Sequence, residues 1–229
     1  MDKIRTVLEH VSTLDTLNSW IFDRISPFIG KRVLEAGCGN GNLTGFYLKH
    51  ADLVVAVDYD SKLIQAIKSR YSDSHLQVLQ EDLTGDLSKL NTYHLDTIIC
   101  LNTLEHIEED QKTLKNFYAL LQNRGKLILQ VPAFPFLYGS IDKVVGHHRR
   151  YTRKDLITQI ENNGFRVTSC TYFNVFGTLG WFYNGKIIRR PYLSLSLLSI
   201  FNFLLPFFKY IEKGRELPFG LSLIAIAEK

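Results

Sequence analysis

The residues that could do chemistry fall in a few short stretches. Glu35 stands two positions ahead of three alternate glycines, Gly37, Gly39 and Gly41, with Cys38 between the first two. Lacking a Cβ, such glycines let a ligand approach the backbone closely. A dinucleotide fingerprint reads G-x-G-x-x-G and faces a pyrophosphate. Here Asn42 holds the place of its third glycine, and an acid just before the loop would repel a pyrophosphate. That acid suits a ligand with an ammonium group. Asp58 lies about 20 residues further on, the spacing at which a carboxylate takes ribose hydroxyls, and Tyr59 offers a ring to an adenine face. His106 and the pair His147-His148 are candidate bases, because a hydroxyl nucleophile must shed a proton and His is the commonest acceptor. Arg149 and Arg150 could pair bidentately with a carboxylate or phosphate on a substrate. They could equally tie their own loop to Asp142 or Asp155.

The elements that must position these residues are legible in the hydrophobic pattern. Residues 32–36 read as a strand that ends at the glycines, with a helix over 41–49. Residues 53–57 are a continuous apolar run, as a strand buried on both faces should be. A helix to Arg70, strands at 76–79 and 95–100, and a helix opened by Glu108, Glu109 and Asp110 follow. Acids are favourable at that helix's positive end. Gly125 is expected to cap it, and residues 126–131 form a fifth strand, stopped by Pro132. Strand and helix alternate with short connections, which predicts a parallel, doubly wound α/β sheet. Such sheets bind ligands at the carboxyl ends of their strands. Residues 3–25 carry apolar side chains at three- and four-residue steps, an amphipathic helix closed by Ser26, Pro27 and Gly30. It is either packed on the sheet or a lid.

At 229 residues and 45% hydrophobic, the chain has the length of one domain with insertions. We expect a single domain over 1–229, with a helical extension at 1–30. A net charge of +4 does not announce a nucleic-acid binder. Cys38, Cys100 and Cys170 form no C-x-x-C and no Cys/His cluster, so no metal is expected and buried free thiols are. The first residues lack the apolar core of a signal peptide, which predicts a cytoplasmic protein.

Four ordered stretches between residues 32 and 132 resemble the class I S-adenosylmethionine (SAM)-dependent methyltransferases: Glu35-x-Gly-x-Gly-x-Gly, Asp58-Tyr59, Glu81-Asp82-Leu83, and the end of the fourth strand running into Asn102 and His106. Later stretches, Gly139-Ser140-x-Asp142, Gly146-His147-x-Arg149-Arg150-Tyr151 and Gly220-Leu221-Ser222-Leu223-Ile224, resemble a type-11/type-23-like bacterial group associated with small molecules, glycans and lipids. The resemblance implies SAM as cofactor. It places Glu35 near the methionine end, with Gly37, Cys38, Gly39, Gly41 and Asn102 around the ligand and Asp58 and Tyr59 at the nucleoside. Asp82 would pair with the adenine amino group and the Leu83 backbone with a ring nitrogen. It also implies a seven-stranded, mostly parallel Rossmann-like sheet of order 3-2-1-4-5-7-6. Two insertions, the aromatic, irregular stretch 133–151 and the aromatic and apolar stretch 173–217, would cover its carboxyl edge. His106 would lie beside the methyl position, with His147 and His148 over the same edge; of those two adjacent residues at most one enters the pocket. Tyr138, Arg149, Arg150 and Tyr151 would then meet the acceptor.

The function expected is methyl transfer to a hydroxyl of a small-molecule, glycan or lipid-linked acceptor. Alternatives are N- or C-methylation, SAM binding without catalysis, and an NAD-dependent oxidoreductase. The glycine spacing and the lack of any Tyr-x-x-x-Lys pair oppose the last. No Asn/Asp-Pro-Pro-aromatic motif is present, so nucleic acid is not the expected partner. The uncharged run 192–208 is nearly as long as a bilayer span of about 20 residues. A single crossing would put two strands of one sheet on opposite sides of a membrane, so a span is rejected. What remains is a helical cap over the pocket or an interfacial element at 190–213, at the inner face of the membrane. Its flanks are Lys186, Arg189, Arg190, Lys209, Lys213 and Arg215. Both favour an acceptor with an apolar part.

Overall fold

A computed structural model of the chain describes residues 15–188 and 195–229, with only the backbone described over 195–198. Residues 3–14 of the amphipathic pattern, and Arg189 and Arg190, lie outside the described residues. Seven strands form one sheet: β1 (Arg32–Ala36), β2 (Leu53–Asp58), β3 (Leu76–Gln80), β4 (Thr97–Leu101), β5 (Lys126–Pro132), β6 (Arg166–Phe173) and β7 (Ser222–Glu228). Their order is β3-β2-β1-β4-β5-β7-β6, as expected. All pairs are parallel except those of β7, which runs antiparallel to β5 and β6.

The apolar runs divide cleanly between the two faces. Leu34, Val55, Ile98 and Leu127 point to one side and pack with Leu114 and Phe117 of α4 (Asp110–Leu120) and Leu156 and Ile160 of α6 (Arg153–Asn162). Val33, Val54, Ile99 and Ile128 point to the other. There they meet α1 (Asp15–Ile25), α2 (Thr44–Tyr47), α3 (Ser61–Arg70) and α8 (Leu195–Glu212), through Trp20, Tyr47, Ile67 and Leu205. β1 pairs with β2 on one side and β4 on the other, so strand order reverses there. The loops after β1 and β4 part at this point and leave a crevice at their carboxyl ends.

Three local expectations are corrected. The helix expected over 41–49 is only the single turn α2. Gly37, Gly39 and Gly41 all have positive φ, so the chain cannot become helical until it has passed them. Gly125 is not the left-handed cap of α4; Arg124 takes that conformation, with φ 66°, and the Gly125 amide bonds back to the Gln122 carbonyl. The first insertion is not irregular throughout, since it contains α5 (Ser140–Val145). The second holds α7 (Val175–Phe182), which runs on as a π turn over Tyr183–Ile187, and then α8. The buried Glu212 carboxylate near the end of α8 accepts from the Asn174 and Val175 amides at 3.1 and 2.8 Å, pinning the start of α7. No described helix is long and apolar enough to cross a membrane.

Candidate active site

The glycine loop is held open by its neighbours. The amides of Gly37 and Cys38 both donate to the Val57 carbonyl at 2.9 Å, so β2 fixes the loop's first turn. A Cβ on Gly37 would come within 2.3 Å of the Thr103 hydroxyl, and its φ is +76°. Gly39, at φ +53°, has nothing within 4 Å of a Cβ position; it presents bare backbone to open space. Asp58 reaches back across the sheet edge. One of its oxygens accepts from the Gly39 amide at 2.9 Å and the other from the Asp60 amide at 3.0 Å.

Glu35 is buried at the end of β1, with the Thr44 hydroxyl donating to it at 2.6 Å. Burial raises its pKa to about 8, against the lowering effect of Thr44, and nearby Asp58 adds to the rise. A cavity of about 790 Å³ opens over this loop, within the range of about 300–1,000 Å³ usual for small-ligand sites. Glu35, Gly37, Cys38 and Gly39 form its floor, and Asn102, Glu105 and His106 its β4 side. Leu17, Asn18 and Ile21 of α1 line it too, so that helix both packs on the sheet and walls the cavity. The roof is apolar, with Leu179, Trp181, Ile200 and Leu204 from the second insertion. Three cavity residues, Tyr47, Glu105 and Gln130, carry buried oxygens with no partner among the described residues, Oη, Oε2 and Oε1. Buried polar atoms are normally satisfied, so these fit a site that takes a polar ligand.

The adenosine-side candidates lie outside the cavity walls. Tyr59 is 77% exposed and free to cover a flat ring. Asp82 turns back on itself, accepting from both the amide and hydroxyl of Thr84 at 2.8 Å, and those bonds lower its pKa. Leu83 is buried, its carbonyl taken by Asn116. Asn102 sits at the switch point in a left-handed conformation, φ 49°, with its amide on the Gln130 carbonyl at 2.8 Å.

The structure separates the three histidines. His106 and His147 both line the cavity, their rings 4.7 Å apart edge to face. His148 is exposed, outside the cavity lining, and attached through its amide to the Glu105 carbonyl. Desolvation and then His147 lower the His106 pKa to about 4. Burial likewise raises that of Glu105 to about 8.

The acceptor residues expected around them are mostly engaged in structure. Arg149 does not face the cavity; it bonds the Asp110 carboxylate at 2.6 Å and the Glu108 carbonyl at 2.9 Å. Tyr151 is buried with its hydroxyl on Asp110 at 3.0 Å, and Tyr138 donates to the His147 carbonyl at 2.7 Å. Arg150 touches the cavity, but its guanidinium is bound by Asp142 at 2.7 Å and the Ala133 carbonyl at 3.0 Å, against the Trp181 ring. Of the two readings of the arginine pair, the loop-tying one describes what Arg150 does. Asp155 instead bonds Thr152 at the start of α6. Asp142, fully buried, also accepts from the Gly139 amide, His147 and Trp181.

Sequence reasoning gave no role to Glu105, Gln130 or Tyr47. Glu105 had one signal, its place beside His106. The absence of a metal-ligand pattern in the sequence is likewise a statement about spacing only: the fold brings Glu105, His106 and His147 together, their ligand atoms within 4.8 Å of one another.

Comparison with known proteins agrees with this architecture. Residues 34–129 match a family model described as a methyltransferase domain. A ubiquinone biosynthesis O-methyltransferase of Coxiella burnetii (strain Dugway 5J108-111) is 33% identical over 155 residues, 62% of this chain and 66% of that protein. A probable SAM-dependent methyltransferase of Mycobacterium tuberculosis (strain ATCC 25618 / H37Rv) is 27% identical, over 66% of this chain and 56% of its own length. The chain thus spans less than two thirds of these relatives. Among solved structures, a putative methyltransferase of Bacillus halodurans C-125 superposes with a TM-score of 0.63 at 20% identity, covering 91% of this chain and 96% of that one. A SAM-dependent methyltransferase of Mesorhizobium loti gives 0.63 at 12% identity, covering 92% and 98%.

Proposed function

We propose, from the premise that the chain belongs to the class I SAM-dependent methyltransferases and carries its methyltransferase domain at residues 34–129, that it methylates a hydroxyl on a small acceptor with an apolar body. The observation that carries this reading is one continuous cavity. It runs from the Glu35–Gly39 floor to the Glu105, His106 and His147 cluster under an apolar roof. When bound, SAM supplies a methyl group already activated by its sulfonium, so the protein's task is placement rather than activation. Glu35 meets the ammonium of the methionine end, and the bare backbone of Gly39 lets the ligand lie close. Asp58 receives the ribose hydroxyls, and Tyr59 covers the adenine beside Asp82 and Leu83. The roof excludes water and holds the acceptor's apolar part. The lone pairs of the His106 and His147 cluster take charge of the acceptor's proton. The relatives named for O-methylation in ubiquinone biosynthesis support a hydroxyl on a greasy small molecule over nitrogen or carbon.

Calorimetric titration tests this reading. SAM binds the wild type, and Asp58→Ala binds it about tenfold to a hundredfold more weakly, for the loss of charge-assisted hydrogen bonds worth roughly 1.5–3 kcal/mol. Equal affinity in the two proteins, or no SAM binding at all, overturns it.

Proton linkage gives a second expectation. With its pKa raised to about 8, Glu35 is mostly protonated at neutral pH in the free protein. An ammonium against it favours the carboxylate, so SAM binding expels a proton. Affinity therefore rises with pH through the range below about 8, by up to about tenfold per unit, and levels off above. Titrations at one pH in buffers of different ionisation enthalpy should differ in heat by the expelled proton. Identical heats and a flat affinity remove Glu35 from the ammonium site.

The second insertion favours meeting the acceptor at a membrane surface. The inner side of α8 buries Leu205 and Phe208 in the core. Its outer side exposes Phe203, Phe207 and Tyr210 at three- and four-residue steps, Phe203 to 84%, α7 adds Phe182, and the exposed cavity residues Leu179 and Ile200 stand at the rim between roof and outer face. A contiguous exposed apolar surface of this kind marks an interaction site. Lys186 and Lys213 lie on the same insertion, where anionic headgroups would meet them. On this reading the protein works at the inner face of the membrane, in a reducing compartment that suits its three buried free thiols. Flotation with vesicles containing anionic lipid should carry the wild type upward, and Phe203→Ser with Phe207→Ser should leave it at the bottom. Wild-type protein that stays at the bottom at low salt reduces α7 and α8 to a pocket cap.

A further inference from the structure

Glu105, His106 and His147 each bring a potential ligand atom to within 4.8 Å of the other two. The Nδ1 of His106 lies 3.2 Å from the Gly146 carbonyl oxygen, an acceptor only, so that nitrogen carries the hydrogen. The Nδ1 of His147 lies 2.9 Å from the buried Asp142 carboxylate and donates to it. In both rings this leaves Nε2 as the unprotonated nitrogen of the neutral imidazole. The His147 Nε2 lies 3.8 Å from Glu105 Oε1, too far for a hydrogen bond. Glu105 is 1% exposed, and its Oε2 has no partner among the described residues. A proton on Glu105 would satisfy one oxygen at most and find no acceptor for its own bond at Oε2. A cation satisfies all three groups at once.

We infer that Glu105, His106 and His147 form a binding site for a first-row divalent cation that faces the cavity. Two imidazoles and one carboxylate are a borderline donor set, which suits Mn²⁺, Fe²⁺, Co²⁺ or Zn²⁺ over the harder Mg²⁺ and Ca²⁺. The ligand atoms lie within 4.8 Å of one another. Bonds of about 2.1 Å in a tetrahedral site place ligands about 3.4 Å apart, so closing on the ion takes a movement of about an ångström. His106 and Glu105 sit on the short loop after β4 and His147 on the first insertion, so that movement is available between two loops. The outer partners are already those of a metal centre. A histidine that ligates through one nitrogen usually donates the other to a carboxylate or backbone carbonyl, as His147 does to Asp142 and His106 to Gly146. Three protein ligands leave an open position toward the cavity, the arrangement of catalytic rather than structural sites.

What the ion does there rests on the methyl-transfer reading; that it binds does not. An acceptor hydroxyl oxygen entering the open position has its pKa lowered by the cation. Its O–H bond breaks, the proton passes to solvent water through the cavity mouth, and the electron pair stays on oxygen, ready for the methyl donor. The site would favour acceptors whose hydroxyl is already acidic, phenols foremost.

The test uses the full chain without a polyhistidine tag, dialysed against a chelator, and Co²⁺ as the probe. One equivalent of Co²⁺ should bind and give the visible d–d bands of a nitrogen- and oxygen-ligated ion, and Zn²⁺ should displace it. His106→Ala, at an exposed position that does not threaten the fold, and Glu105→Gln should each weaken binding by about a hundredfold or more. Bands that fail to saturate at one equivalent, equal affinity in both variants, or preferential binding of Mg²⁺ overturn the site. SAM titrated into the same samples reads the methyl-donor assignment separately. SAM binding without Co²⁺ binding leaves the methyltransferase reading standing and removes the metal; Co²⁺ binding without SAM binding does the reverse.

Discussion

His106→Ala lowers turnover at saturating SAM by about a hundredfold to ten-thousandfold, the usual range for loss of a group that manages a proton in the transition state. Of the three histidines, His106 is the one whose loss should act on chemistry alone. His148 is outside the cavity lining. His147 is tied to Asp142, so its removal disturbs a buried network as well. His106 makes one ring hydrogen bond, to the Gly146 carbonyl, from an exposed position on the loop after β4. Partial desolvation of the ring at the cavity and then its neighbour His147 lower its pKa to about 4, so it is neutral at pH 7. A neutral Nε2 serves either role, taking the proton directly or holding the cation that makes the hydroxyl acidic. The measurement is steady-state transfer from labelled SAM to an alkyl-tailed phenol, with SAM affinity by calorimetry as the control. SAM affinity should hold while kcat falls. Near-normal kcat in His106→Ala would move the reacting centre away from this cluster.

Most of the sheet was legible because buried parallel strands announce themselves. Residues 53–57 are a continuous apolar run, the pattern of a strand covered on both faces, and the strand order followed from a family resemblance resting on motifs at strand ends. The glycine loop was legible for the same local reason, since positive φ at alternate positions requires glycine. The acceptor side was not. Arg149 meets Asp110 and Tyr151 meets the same carboxylate, both 39 or more positions away in the chain, and nothing in their spacing forecasts that convergence. Glu105 was invisible as a ligand because its character comes from burial, and burial of that carboxylate is decided by the first insertion folding over it. The stripe on α8 was readable as apolar, but which half faces the core is set by packing against α1, through the Lys209 to Asp23 ion pair among others.

Asp142→Asn costs about 3–5 kcal/mol of stability, the scale expected when one partner of a buried ion pair is removed and the other stays behind. Asp142 has no exposed surface, and its two oxygens receive the Gly139 amide at 2.9 Å, His147 at 2.9 Å, Arg150 at 2.7 Å and the Trp181 indole at 3.3 Å. Burial alone would raise its pKa, and His147, Arg150 and Gly139 together outweigh that and hold it below the usual carboxylate range. Arg150, with a side chain 1% exposed, bonds no other carboxylate among the described residues. An asparagine keeps the shape but offers one acceptor oxygen and an amide that points hydrogens at a guanidinium or an imidazole. For a chain of this length each kcal/mol moves the melting temperature by roughly 2–4 °C, so a drop of about 6–20 °C is expected. Adding Arg150→Met should return most of it, because an apolar side chain of similar reach ends the burial of an unpaired charge and keeps contact with Trp181. A single-variant loss below about 1 kcal/mol, or a double variant no better than the single, would show that water reaches Arg150 and that the first insertion is held by its backbone. With the larger loss, the insertion that carries His147 owes its position over the cavity to this buried carboxylate.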